Sequence, residues 1–86
     1  MDQRIVDWMV QNEATIKKFC DVRSAELNDA LKRYDREYHN DIKKEFREFV
    51  FNSVRDMVCF DLGCSAEDFY NTVEGTEEKW ISLPLD

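Results

Sequence analysis

The chain has 86 residues, with 19 carboxylates against 12 lysines and arginines and a formal net charge of −7, which leaves room for one domain with one core. That sign argues against direct binding to nucleic acid or anionic lipid, and a 43% hydrophobic content argues against a wholly disordered chain. Only two glycines and one proline interrupt a sequence rich in helix formers. An all-α fold is expected, a small bundle of three to five helices spanning residues 1–86 as a single domain, with a short irregular C-terminal tail.

Asp2 is placed to cap a first helix whose apolar side carries Ile5, Trp8, Met9, Ile16, Phe19 and Cys20 at helical spacing. Polar Asn12 interrupts that stripe. The sequence favours one helix through Cys20, with a restart at Gln11-Asn12-Glu13 as the alternative. Asp21-Val22-Arg23-Ser24 reads as a short turn. Leu27, Leu31, Tyr34, Tyr38, Ile42, Phe46 and Phe49 then follow at spacings of four, three, four, four, four and three, one continuous stripe. A helix from Ser24 to about Phe60 extends roughly 55 Å at 1.5 Å per residue, and His39-Asn40-Asp41 is the expected place for a kink or break.

Gly63 stands where a left-handed C-terminal cap is needed. Ser65-Ala66-Glu67-Asp68 has the form of a capping box, with Cys64 and Phe69 set as a hydrophobic staple. Phe69, Tyr70 and Val73 give the next short helix its apolar face, and Gly75 ends it. Thr76-Glu77-Glu78 starts one further turn. The tail Ile81-Ser82-Leu83-Pro84-Leu85 is expected to be irregular, because Pro84 disfavours helix at Leu83. Trp80 and Leu83 are expected to fold back over Val54 and Met57; the alternative is a contact motif for a partner groove.

Charge is distributed unevenly. Through Arg55 the acids and bases balance at eleven each, whereas from Asp56 onward eight carboxylates face Lys79 alone. Glu67, Asp68, Glu74, Glu77 and Glu78, together with Trp80, are the candidate partner-binding residues. A negative flank of this kind fits a basic protein surface. A second stripe, Lys32, Arg36, His39, Lys43 and Arg47, reads first as a solvated face laced with i,i+4 pairs and alternatively as an anion-binding row. Residues 49–60 are apolar on nearly every side, which raises a homodimer seam through Phe49, Val50, Val54 and Met57.

Catalytic chemistry finds no motif: there is one histidine, no glycine-rich phosphate loop and no H-E-x-x-H or G-x-S-x-G. Cys59 and Cys64 are in C-x4-C spacing, unlike the C-x2-C of zinc ribbons, so no metal and no cofactor is expected. Cys20 and Cys59 are expected as buried packing residues. No apolar run approaches the ~20 residues of a membrane span, and the charged start lacks the apolar core of a signal peptide. The odd cysteine count then reads as reduced thiols in a cytoplasmic protein. The sequence therefore predicts a non-enzymatic module that binds a protein with a basic surface and binds neither nucleic acid nor membrane. Its most concrete form is a nucleic-acid-mimicking inhibitor of a nucleic-acid-handling enzyme, a strategy used by viral accessory proteins. The alternative is a homo-oligomeric helical scaffold, seamed through residues 49–60, with the basic stripe as an anion site.

Overall fold

Five α-helices and one 3-10 turn account for most of residues 1–81, which are the residues that the computed structural model describes. Among the described residues there is no strand. Helix α1 (Gln3–Gln11) begins at Asp2, whose carboxylate accepts the Arg4 N–H at 3.0 Å. The Asp2 N–H donates to Thr72 Oγ1 at 2.9 Å, which ties the start of the chain to α4.

The helix gives way at Asn12. Its backbone N–H and its side-chain Nδ2 both donate to the Trp8 carbonyl, at 2.9 and 2.8 Å. A local side-chain bond of this sort competes with the helical ladder. The restart therefore replaces the expected single helix, and α2 runs from Glu13 to Arg33. The turn expected at Asp21–Ser24 is helical instead. Ile16, Cys20, Leu27 and Leu31 are all buried, and only an unbroken helix keeps the four on one side.

After Arg33 the chain reverses. Tyr34 and Asp35 are extended, a 3-10 turn covers Arg36–Tyr38, and α3 runs from His39 to Leu62. The break thus falls at Tyr34-Asp35, ahead of the expected His39-Asn40-Asp41. The His39 ring nitrogen Nε2 lies 3.0 Å from the Tyr34 carbonyl and closes the reversal. Packing supplies the reason. A straight rod leaves Leu27 and Leu31 without partners, whereas the hairpin lays α2 back along α3, with Phe19 stacked on Phe49 at 6.2 Å.

Gly63 caps α3 as expected, with φ at +66° and its N–H donating to the Cys59 carbonyl at 2.9 Å. Ser65 caps α4 (Ala66–Val73), its Oγ accepting the Asp68 N–H at 3.1 Å. Gly75, at φ +80°, follows α4, and α5 (Glu77–Trp80) adds one turn.

The core is drawn from every helical segment of length: Ile5 from α1, the four residues of α2, Val50, Val54 and Val58 from α3, Phe69 and Val73 from α4. Ile81 closes it. The molecule measures 42 × 22 × 20 Å. Val50 and Val54 have no exposed surface, because α1, α2 and α4 cover that side of α3. Of the quartet expected at a dimer seam, only Phe49 and Met57 retain any surface.

Candidate functional site

The acidic flank is built on α4 and α5. With 100° per residue, Phe69 and Val73 face the core while Glu67, Asn71 and Glu74 lie on the opposite side of α4. Glu67, Glu74 and Glu78 are exposed, and among the described residues none of them forms an ion pair. Four acids elsewhere are paired: Asp2 with Arg4, Asp21 with Lys17, Glu26 with Arg23 and Asp56 with Arg55. Asp61 accepts the indole N–H of Trp8 at 2.9 Å.

The remaining predicted residues are placed differently. Asp68 lies toward the start of α1, where the Arg4 guanidinium is stabilised first by Asp2 and further by Asp68. Glu77 is half-buried and shares a hollow with Arg47 and Glu48. Trp80 is half-buried against the core: its ring stacks on Phe51 at 5.7 Å and meets Phe69 edge-on at 6.3 Å. Its Nε1 donates to Thr76 Oγ1 at 3.3 Å. The fold-back expected of Trp80 is observed, with Phe51 and Phe69 as the ring partners of the indole. Residues 82–86, including the Leu83 contact and Asp86, lie outside the described residues.

The basic stripe is not one row. Lys32 ends α2, Arg36 sits on the 3-10 turn, and His39, Lys43 and Arg47 lie on α3. The reversal at Tyr34-Asp35 separates Lys32 from the other four, and the 3-10 turn sets Arg36 outside the helical register of the last three. His39 serves that turn through the Tyr34 carbonyl.

Two features escape a reading of the sequence. The first is a groove of about 610 Å³ where α1, α2, α4 and α5 meet, floored by Val6, Met9, Ile16, Val73 and Trp80 with Lys17 and Lys79 beside it. Met9, Val10, Glu13 and Ile16 of its lining flank the restart at Asn12, which an assumed single helix hides. The second is Phe60, which is 90% exposed on the outer side of α3. Crowding of apolar residues around it in sequence masks which one faces out.

Of the cysteines, Cys20 is buried as expected and its Sγ lies 3.5 Å from the Trp80 carbonyl. Cys59 is only half-buried, with its Sγ 3.8 Å from that of Cys64. Burial, followed by the Cys64 hydrogen bond, pushes the Cys59 thiol up.

No described helix is long and apolar enough to cross a membrane. Comparison with protein-family models, with curated proteins and with solved structures finds no match.

Proposed function

We propose that the protein is a non-catalytic binding module that sets the outer carboxylates of α4 and α5 against a cationic surface of a partner protein. One observation carries the reading: Glu67, Glu74 and Glu78 are exposed, hold no base among the described residues, and lie in the stretch after Arg55 where Lys79 is the single base against eight carboxylates. Helix electrostatics accounts for part of this cluster, since acids are favoured in a first turn, where Glu67 and Glu78 sit. It does not account for Glu74, which is the C-cap of α4, the end that disfavours a negative charge. A carboxylate kept at that position without an internal cation is in place for an external one. The most concrete form of this activity is occupation of the basic groove of a nucleic-acid-handling enzyme by a surface that substitutes for phosphates.

Such docking associates fast and weakens steeply with salt. The test compares two triple charge reversals: Glu67→Lys, Glu74→Lys and Glu78→Lys against Asp29→Lys, Glu37→Lys and Glu45→Lys. Both sets change the net charge equally. Proteins captured on the immobilised chain at low and high salt are identified by mass. A single protein lost with the first set, and retained with the second, supports the reading. Equal retention by both sets overturns it.

A further inference from the structure

The fold brings together two of its three thiols and holds the third away. Cys59 is in the last turn of α3, and its carbonyl accepts the N–H of Gly63 at 2.9 Å. The left-handed Gly63, at φ +66°, turns the chain so that Cys64 returns over the helix end just before the Ser65 cap. There Cys64 Sγ donates to Cys59 Sγ at 3.8 Å, and both residues are partly open to solvent. Cys20 is fully buried on α2 against the Trp80 carbonyl.

We infer that Cys59 and Cys64 form a site of reversible oxidation, at which an intramolecular disulfide pins the end of α3 to the start of α4. The sulfurs must close from 3.8 Å to the roughly 2.05 Å of a disulfide bond, a movement on the scale of a side-chain rotation. This inference is independent of the acidic flank.

The oxidant is a low-molecular-weight disulfide of the glutathione type. Cys64, as thiolate, attacks one sulfur of that disulfide; the S–S bond breaks and one glutathione thiolate leaves and takes up a proton. The Cys59 thiol then gives up its proton and attacks Cys64 Sγ. The second glutathione leaves as thiolate and is protonated. Two protein thiols are oxidised and one external disulfide is reduced to two thiols. Cys64 acts first because burial makes Cys59 the poorer thiolate. Proximity makes the second step intramolecular.

The experiment incubates the native chain in buffers of graded oxidised-to-reduced glutathione, quenches with acid, alkylates and maps peptides by mass. The expected product is two hydrogens lighter, links the peptides that carry Cys59 and Cys64, and retains one alkylatable thiol, Cys20, only after unfolding. Cys59→Ser should stop at a mixed disulfide on Cys64. Cys64→Ser should react about tenfold more slowly, through Cys59 alone. Cys20→Ser should bridge as the unaltered chain does. Glutathione adducts on the native unaltered chain without a bridge, a bridge to Cys20, or a bridge that forms only in denaturant would each overturn the inference. Because the native unaltered chain decides these outcomes, they do not depend on how well any variant folds.

Discussion

Trp80 stacks on Phe51 with 5.7 Å between ring centroids and 28° between planes, so the last turn of the described chain is fastened to the middle of α3. Phe51 is the hub of this cluster: Tyr70 stacks parallel to it at 5.7 Å and Phe69 meets it edge-on at 5.4 Å. An aromatic group of this kind adds about 0.5–1.5 kcal/mol per pair beyond the area it buries. Trp80→Ala is expected to destabilise the fold by about 3 kcal/mol, the lower end of the range for truncating a large aromatic because the indole is half-buried. Denaturant unfolding measures this. An unchanged midpoint would return Trp80 to the role of a contact residue.

Ser65 caps the acidic helix α4, with Oγ accepting the Asp68 N–H at 3.1 Å. Ser65→Ala should cost about 1 kcal/mol. Ser65→Asp should restore most of it, since a carboxylate at the same position accepts the same bond and suits the positive helix end. Urea titrations of the two variants decide the matter. Equal loss in both would show that the cap does not stabilise α4.

The capping residues were legible in the sequence because each acts over two to four positions: Asp2, Gly63 and Ser65 do in the structure what their spacing predicts. Distant packing is what the sequence withheld. Asp21–Ser24 has turn-forming composition, yet it stays helical because Cys20 on one side and Leu27 on the other are both buried. The chain reverses four residues before His39-Asn40-Asp41, since the hairpin needs Leu31 and Ile42 on facing helices. The acidic flank was legible as composition but not as geometry. Asp68 and Glu77 lie near Arg4 and Arg47, residues more than 25 positions away in sequence, and Trp80 finds its partners on α3.

The Asp2 carboxyl is held below its ordinary value of 3.8, chiefly by the side-chain hydrogen bond from Arg4, while burial opposes that shift. A carboxylate whose folded value is depressed stabilises the fold above its unfolded value and ceases to do so as pH falls through the folded one. The Asp2 contribution should therefore be complete above about pH 4 and fade below it. In Arg4→Ala the Asp2 titration should move back up toward 3.8, because its largest cause of depression is gone. Carboxyl carbon shifts followed through an acid titration read this directly. An Asp2 titration unmoved by the substitution would mean that the Arg4 side chain does not engage it.

Helix α3 offers one last contrast, between Val54 and Phe60. Val54 is 0% exposed and Phe60 is 90% exposed, although the two lie on the same helix within an apolar run. At 100° per residue Phe60 stands about 160° round the helix from Val58 and about 20° from Phe49. Val54→Thr keeps the volume but buries a hydroxyl among Val50, Val58 and Phe69, at a cost of about 1–3 kcal/mol. Phe60→Ser removes a ring that nothing described covers, and stability should hold within about 0.5 kcal/mol. Both unfolding midpoints should be the same at low and high protein concentration if α3 is covered by its own chain. A dimer seamed through residues 49–60 makes the opposite forecast: Phe60→Ser lowers the midpoint, and the loss deepens on dilution because subunit association contributes to stability. Paired melts across a hundredfold dilution, on the order of the range over which mass action shifts stability by about 2.7 kcal/mol, separate the two.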